Sequence, residues 1–316
     1  MKGKLSAFVV LTAMAGYAAA PGVGADLTTL FWTTVGTTLC AASANSINQW
    51  IEIPYDAQMS RTRNRPLVRH ALSPTNAMVF GTSTGVLGVT TLCTLVNPIT
   101  GYLGLSNILL YTMVYTPSKR MSIVNTWIGA VVGAIPPLMG WAAATGSVFG
   151  GPQDLGAWVL AGILFAWQFP HFNSLAWTLR ADYSKAGYMM ASVTNPRLNA
   201  RVSLRYSLLM FPLCAALTYL DITDQWFLID SSAVNGYLLY YAYKFWKHSS
   251  DKTSRPLFFA SIVHLPLIII LMLVHKRRLA QQQQQPQPQV KGLDQKQPQS
   301  IITKAESQQQ QIATTP

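Results

Sequence analysis

The sequence predicts an all-α polytopic membrane protein with about nine transmembrane helices. Half of the 316 residues are hydrophobic and only 11% are charged, whereas a soluble domain carries about 25% charged residues. Long apolar runs recur along the chain, which is typical of membrane-spanning segments. An open strand would leave its backbone groups unpaired in lipid, so we interpret these runs as helices.

The candidate spans are separated by short polar loops, and their bounds follow the apolar runs. The fourth span is short for a bilayer, which needs about 20 apolar residues. The spans cover approximately 5–20, 28–50, 76–96, 101–115, 126–144, 155–175, 202–220, 226–245 and 256–274.

The first span has a second interpretation. The opening stretch MKGKLSAFVVLTAMAGYAAAPG has a basic start, an apolar middle and small residues at its end, which is typical of a secretory signal peptide. The charge pattern of the loops favours a retained helix.

Positive charge is confined to alternate loops. The loops near 21–27, 97–100, 145–154 and 221–225 carry no Lys or Arg, so the opposite, basic side is predicted to face the cytoplasm or the mitochondrial matrix. An odd number of spans places the C-terminus on the other side, where Lys276, Arg277 and Arg278 are an exception to the rule. The residues of the basic side are Lys2, Lys4, Arg61, Arg63, Arg65, Arg69, Lys119, Arg120, Arg180, Lys185, Arg197, Arg201, Arg205, Lys244, Lys247, Lys252 and Arg255.

The net charge of +12 does not indicate a nucleic-acid-binding protein, because the basic residues form short clusters between apolar runs. We therefore expect no nucleic-acid partner and a lipid bilayer around residues 1–278. Residues 279–316 are rich in Gln and Pro and poor in large apolar residues. Such a composition cannot bury enough surface to offset its ordering entropy, so it predicts a disordered tail.

The stretch NSINQWIEIPYDAQMSRTRNRPL, at 45–67, carries polar residues in an unexpected place. Asn48, Glu52 and Asp56 are spaced by four residues and therefore lie near one face of a helix. Ionisable groups at a membrane span are costly and mark a function by default. Oxygen ligands suit Mg²⁺. Pro54 should kink or end the helix between the two carboxylates.

Arg61, Arg63 and Arg65 follow directly, and guanidinium groups bind phosphate oxygens well. The combination indicates a diphosphate held by a metal ion on one side and by arginines on the other. The alternative is an ordinary helix end at the membrane interface, with arginines that only obey the positive-inside rule.

A second polar cluster lies on the same side of the membrane. WQFPHFNSLAWTLRADYSKAG contains His171, Asn173, Arg180, Asp182 and Lys185, and YTPSKR contains Tyr115, Lys119 and Arg120. All the unusual polar residues thus converge on one face of the predicted bundle. An alternative for Asp182 is a surface loop aspartate paired with Arg180.

The chain resembles the UbiA-like intramembrane prenyltransferases, and within them the members that farnesylate haem. The resemblance extends from Lys4 to about Arg278. The stretches that carry it are the one at 45–67 above, YTPSKRMSIVNTWIGAVVGAIPPLMGWAAATG, WQFPHFNSLAW, RADYSKAGYMM and HLPLIIILML.

This resemblance implies a nine-helix bundle around a central cavity that opens to the matrix side. It implies that Asn48, Glu52, Asp56 and Asp182 hold Mg²⁺ as the catalytic and metal-binding set. Ser60 and Ala186 stand where many relatives carry acids, so the metal site is poorer in carboxylates than the broad family pattern. Candidates to bind the diphosphate are Arg61, Arg65, Tyr115, Lys119, Arg120, Arg180 and Lys185.

The resemblance also implies an activity and a location. The expected reaction transfers a farnesyl group from farnesyl diphosphate to a vinyl group of protohaem IX (haem B). The product would be haem O, which serves haem A synthesis and cytochrome c oxidase assembly, with haem A synthase as a candidate partner. The expected location is the mitochondrial inner membrane, with the site facing the matrix. The first span starts close to Met1, so we expect import to use either a leader that precedes this sequence or internal signals.

His171 is the candidate haem ligand, because it shares a segment with Asp182 and imidazole is a common axial ligand of haem iron. The alternative is a helix-end histidine bonded to a backbone carbonyl beside Pro170. Two other function classes stay open from the residues alone. One is a prenyltransferase for another aromatic acceptor, such as a quinone precursor. The other is a transporter, which should show repeated, broken helices in matching halves.

Overall fold

A computed structural model describes residues 3–21 and 26–277 of the chain, and the first compact unit ends at Arg277. The predicted tail at 279–316 lies outside the described residues. Within them the regular structure is helical, apart from one isolated bridge between Thr223 and Lys276. The predicted all-α membrane class is confirmed.

The N-terminal half supplies the first spans and a short helix after the second one. Its helices are α1 (Gly3–Ala19), α2 (Leu27–Ile51), α3 (Ile53–Asp56), α4 (Pro74–Leu95), α5 (Pro98–Leu109), a π-helical turn (Leu110–Tyr115), α6 (Thr116–Ser118) and α7 (Asn125–Thr145).

The C-terminal half contains four long helices and two short ones. Its elements are a 3₁₀ turn (Pro152–Asp154), α8 (Leu155–Thr178), α9 (Arg180–Lys185), α10 (Ala191–Thr194), α11 (Pro196–Tyr219), α12 (Trp226–His248) and α13 (Asp251–Val274).

Each predicted span coincides with one of these helices, but not all of them have the length and apolarity of a membrane span. Within the described residues, five helical segments are long and apolar enough to cross a bilayer. The total of about nine spans therefore stays a prediction. The five are Pro74–Leu95, Asn125–Thr145, Pro152–Thr178, Pro196–Tyr219 and Asp251–Val274.

Helix α1 is packed into the bundle through small residues. A Cβ atom on Gly16 would lie 2.1 Å from the carbonyl oxygen of Pro137, and one on Gly140 would lie 1.7 Å from that of Ala13. Such close backbone approach is the way in which membrane helices associate without a hydrophobic driving force. This packing is what a retained first helix requires.

Helix α2 ends where Pro54 was predicted to interrupt it. Asp26 caps its N-terminus by accepting a hydrogen bond from the backbone N–H of Thr28, and Glu52 is its C-cap. Pro54 then occupies the first turn of α3, where a missing N–H is tolerated. Helix α2 thus ends at Ile51 and α3 begins at Ile53, with Glu52 between them.

Local contacts account for the basic residues that break the charge rule at the end of α13. The Nζ atom of Lys276 donates to the carbonyl oxygens of Ala18 and Ala20, at 2.6 and 2.7 Å. Arg277 forms an ion pair with Asp221. Lys276 thus stabilises the carbonyls at the C-terminal end of α1, and Arg277 neutralises the carboxylate of Asp221.

Candidate active-site cavity

A cavity of about 700 Å³ lies inside the bundle, which is in the size range of pockets that enclose small-molecule ligands. Its wall is mostly apolar and aromatic, and residues of α1, α2, α5, α7, α8 and α13 contribute to it. One end is charged. The ionisable residues at the charged end are Glu52, Asp56, Arg61, Arg65 and Lys119.

The two carboxylates of the first motif are buried at the charged end and held by cations. Glu52 Oε1 accepts a hydrogen bond from Lys119 Nζ at 2.6 Å, and Glu52 Oε2 lies 4.0 Å from Arg65 Nη1. Arg65 donates to Asp56 directly. Carboxylates survive burial only when they are paired and hydrogen-bonded. The predicted convergence of the acidic motif, the arginines and Lys119 is therefore present in the fold.

A π-helical turn presents two tyrosines to this end of the cavity. Tyr111 and Tyr115 both line it, with ring centroids 5.4 Å apart, and Lys119 Nζ lies 4.5 Å from the Tyr115 ring centroid. The hydroxyl of Thr116 donates to the carbonyl of Tyr111 at 2.8 Å across the widened turn. Short π-helical insertions are frequent at functional sites.

Asn48 lies behind this turn. Its side chain is fully buried, and its Nδ2 atom donates to Thr116 Oγ1 at 2.9 Å. The hydroxyl of Tyr111 also lies 3.5 Å from Asn48 Oδ1. Asn48 therefore connects α2 to the π-helical turn, while Glu52 and Asp56 face the cavity itself.

Asp182 lies on α9, is partly exposed and is not part of the described cavity wall. Its carboxylate accepts a hydrogen bond from the hydroxyl of Ser60. That bond lowers the pKa of Asp182 and outweighs the opposing effect of desolvation. The backbone N–H groups of Arg61 and Ser60 and the charge of Lys185 lower the pKa further. Within the described part of the chain, no three His, Cys, Asp or Glu side chains form a group that could hold a metal ion.

The predicted diphosphate-binding residues fall into two sets. Arg61, Arg65, Tyr115 and Lys119 line the cavity. The other three lie outside its wall as the described residues form it, and they are Arg120, Arg180 and Lys185.

Two of those outer residues have other partners. Arg120 donates to the Tyr55 hydroxyl at 2.9 Å and stacks over its ring. Arg180 forms an ion pair with Asp251 at 2.8 Å, so it does not pair with Asp182 as the alternative interpretation required. Lys185 is exposed on α9. The clustering of charged residues in the sequence did not show which of them line the cavity and which lie outside it.

His171 lines the same cavity. Its ring stacks on Trp167, with centroids 4.6 Å apart, and on Phe258 at 5.0 Å. Its Nδ1 atom lies 2.9 Å from Ser261 Oγ, and the Ser261 hydroxyl donates its one proton to the Phe258 carbonyl at 2.6 Å. The Ser261 oxygen must then accept a hydrogen bond from His171 Nδ1–H. The hydrogen-bond network therefore assigns the Nδ1-protonated tautomer to His171, and the lone pair on Nε2 stays available.

The other buried histidine is differently placed. His264 is fully buried on α13, and its Nε2 atom lies 2.8 Å from Asn235 Oδ1. It packs between helices rather than on the described cavity wall. His171 is bonded to a serine of α13 and not to a backbone carbonyl beside Pro170.

Sequence reasoning missed several aromatic and polar residues of the wall. Tyr111 and Trp167 each stand four residues before a predicted site residue, Tyr115 and His171. This spacing on one helix face was the available signal. No local pattern pointed to Tyr188, which the fold brings to the cavity from the loop after α9. Gln168 and Tyr183 also line the wall.

Comparisons with known proteins agree with this architecture. Residues 9–263 match the model of the UbiA prenyltransferase family. The chain is 50% identical to the protoheme IX farnesyltransferase, mitochondrial, of Yarrowia lipolytica, over 87% of the chain and 60% of that protein. It is 52% identical to the protein of the same name from Homo sapiens, over 91% of the chain and 63% of that protein. The chain thus spans less than two thirds of the length of these curated relatives.

Solved structures show the same fold at low sequence identity. A structure from work on digeranylgeranylglyceryl phosphate synthase has a TM-score of 0.73 and 14% identity, with 86% of this chain and 94% of that chain covered. A UbiA homolog from Archaeoglobus fulgidus bound to GPP and Mg²⁺ has a TM-score of 0.56 and 12% identity, with 85% and 97% covered. The family model, the relatives and the fold together show that this chain belongs to the UbiA prenyltransferase family.

Proposed function

We propose that the chain transfers a farnesyl group from farnesyl diphosphate to a vinyl group of protohaem IX, giving haem O. The observation that carries the proposal is that a single cavity has both a charged end and a long apolar wall. Its charged end, at Glu52, Asp56, Arg65 and Lys119, suits a diphosphate, and its long apolar wall suits an isoprenoid chain. His171 faces the same space. The names of the relatives from Yarrowia lipolytica and Homo sapiens support this acceptor.

The same names support a mitochondrial membrane as the location. The clustering of basic loops on one side supports a matrix-facing charged end. The inner membrane is the proposed site, and haem A synthase is the proposed downstream partner, because haem O would be its substrate.

The donor set at the charged end fits Mg²⁺. The Glu52 and Asp56 carboxylates are hard oxygen ligands on the cavity wall, and Mg²⁺ commonly uses one or two carboxylates together with substrate phosphates. The other two residues of the predicted set have partners outside the cavity wall, since Asn48 donates to Thr116 and Asp182 accepts from Ser60. When bound, Mg²⁺ would neutralise charge on the diphosphate and make it a better leaving group. The Archaeoglobus fulgidus homolog bound to GPP and Mg²⁺ supports the use of this ion.

The residues of the chain contribute charge, enclosure and position. Lys119, Arg61 and Arg65 stabilise the negative charge that develops on the diphosphate as the allylic C–O bond breaks and its electron pair leaves with the bridging oxygen. A π-electron pair of the haem vinyl group then forms the new C–C bond. Water adds to the resulting cation and loses a proton, which gives the hydroxyl group of haem O. The apolar wall excludes water from the first cation.

His171 would fix the acceptor. The Nδ1–H group is held by Ser261, so Nε2 is the available ligand atom, and metal-binding histidines usually donate their other ring N–H in this way. Because the vinyl carbon must approach C1 of the farnesyl chain, the porphyrin needs an anchor within the cavity. We propose that this anchor is the bond from His171 to haem iron.

Product analysis tests the proposed function. Purified protein in lipid nanodiscs is incubated with haem B, farnesyl diphosphate and Mg²⁺, and the extracted haems are identified by mass spectrometry. We expect haem O, which should not form when EDTA replaces Mg²⁺. Farnesylation of a quinone precursor without haem O would overturn the choice of acceptor while keeping prenyl transfer.

A further inference from the structure

Tyr188 is a buried tyrosine of the cavity wall, and its hydroxyl has no role in the function proposed above. The side chain lines the cavity and the residue is 5% exposed. Its hydroxyl oxygen is buried, and no atom of the described residues lies at full hydrogen-bond distance from it, although the Glu52 carboxylate is near enough to act on it as an acceptor. A buried hydroxyl left in this state costs free energy, so its position calls for a ligand or a solvent molecule as partner.

The backbone fixes this side chain through the end of α9. Gly187 adopts a left-handed conformation with φ of 69°. The N–H of Gly187 donates to the Ser184 carbonyl, and the N–H of Tyr188 donates to the Tyr183 carbonyl at 2.9 Å. This pair of bonds is a Schellman motif, which brings the residue after the glycine against the last helical turn. The rings of Tyr183 and Tyr188 accordingly lie 6.0 Å apart.

The next residue ties the same turn to the charged end of the cavity. The N–H of Met189 donates to the backbone carbonyl of Lys119 at 2.7 Å, and Asn125 Nδ2 donates to the Met189 carbonyl at 2.9 Å. On its other side, the Tyr188 ring packs on Tyr55 at 6.0 Å. Tyr188 is thus held beside Lys119 by backbone bonds as well as by packing.

The electrostatic surroundings of the hydroxyl favour a hydrogen-bond donor. The Glu52 and Asp56 carboxylates and the Lys119 ammonium group all act on the Tyr188 hydroxyl, and Glu52 also acts on it as a hydrogen-bond acceptor. A phenol keeps its proton at neutral pH and can donate it in a hydrogen bond. Because Glu52 is already held by Lys119 and Arg65, an anionic oxygen of a ligand at this end of the cavity can take the hydrogen bond of this donor.

We propose that Tyr188 is a further catalytic residue, whose hydroxyl donates a hydrogen bond to the diphosphate of the prenyl substrate. This inference rests on the proposed function, since it takes the charged end as the diphosphate site. The proton stays on the tyrosine throughout. The bond strengthens as negative charge accumulates on the leaving group, so it stabilises the transition state more than the ground state.

The test uses Tyr188→Phe, which keeps the ring packed between Tyr55 and Tyr183 and removes only the hydroxyl. We expect the single-turnover rate of haem O formation to fall by about 100-fold, as when one preorganised donor is lost. The affinity for inorganic diphosphate with Mg²⁺, measured by calorimetry, should fall by about tenfold. Tyr55→Phe is the matched control, because its hydroxyl meets Arg120 outside the cavity wall, and it should keep both wild-type values.

The outcomes separate this inference from the function on which it rests. If Tyr188→Phe keeps both the wild-type rate and the wild-type affinity for diphosphate, the inference is overturned. If the wild-type protein makes no haem O, the proposed function fails instead. In that case weaker diphosphate binding by Tyr188→Phe still supports the contact, and unchanged binding rejects it. A melting temperature equal to that of wild type shows that the variant is folded.

Discussion

At the scale of single residues, the sequence predicted which carboxylates lie on the cavity wall better than it predicted their partners. The spacing of Glu52 and Asp56 and the burial cost of carboxylates were enough to select them. Their counter-ions could not be read in the same way, because Lys119 reaches Glu52 across 67 positions of the chain. Arg65 and Arg180 both looked like phosphate ligands, yet only Arg65 faces the cavity. Which side of a loop faces inward depends on tertiary packing.

His171 carries the prediction that belongs to this scale. If Nε2 binds haem iron, His171→Ala should weaken haem binding and shift the haem absorption spectrum, while binding of farnesyl diphosphate stays nearly intact. His171→Phe should do the same, because it restores the stack on Trp167 and Phe258 without a ligand atom. Haem titrations followed by absorbance measure both effects, with His248→Ala as the control for loss of an exposed histidine. Wild-type affinity and spectrum in both His171 variants would assign the residue to packing alone.

At the scale of elements, apolar runs and proline predicted most helices to within a few residues. The span predicted at 202–220 begins earlier, at Pro196, because Asn195 caps that helix by accepting from the backbone N–H of Leu198. The run at 101–115 hid a change of helix type, since α5 ends at Leu109 and the π-helical turn follows. Hydrophobic periodicity does not reveal one inserted residue per turn. The position of Tyr188 could not be predicted either, because the turn that holds it is bonded to Lys119, which is distant in sequence.

The contact between Asp182 and Ser60 joins α9 to the segment after α3, and it carries the prediction for this scale. If Asp182 helps to hold Mg²⁺, as the resemblance predicts, its hydrogen bond with Ser60 is not needed for that task. Asp182→Asn should then lower the rate of haem O formation by at least about 100-fold and raise the Mg²⁺ concentration needed for half-maximal rate. Ser60→Ala should leave that Mg²⁺ concentration unchanged. Equal effects of the two substitutions on rate and on Mg²⁺ dependence would instead make the contact itself the functional feature.

At the scale of the whole molecule, the basic residues at the two ends of the helix bundle have different roles. The charged end of the cavity lies on the side with the basic loops. On the other side, Lys276 binds the carbonyls at the end of α1 and so joins the last helix to the first. The positive-inside rule predicted the first of these arrangements from loop composition. The rule could not predict the contacts of Lys276 and Arg277, because their partners Ala18, Ala20 and Asp221 are distant in sequence.

The central claim is that the buried carboxylates at one end of the cavity activate a prenyl diphosphate. Its most direct test is the initial rate of haem O formation from haem B, farnesyl diphosphate and Mg²⁺ by wild type, Asp56→Asn and Asp26→Asn. Asp26 is an exposed N-cap of α2, and asparagine caps a helix equally well, so this control should match wild type. Asp56→Asn keeps the size of the side chain and removes its charge, and the account predicts a rate at least about 100-fold lower. A near-wild-type rate in Asp56→Asn would contradict it.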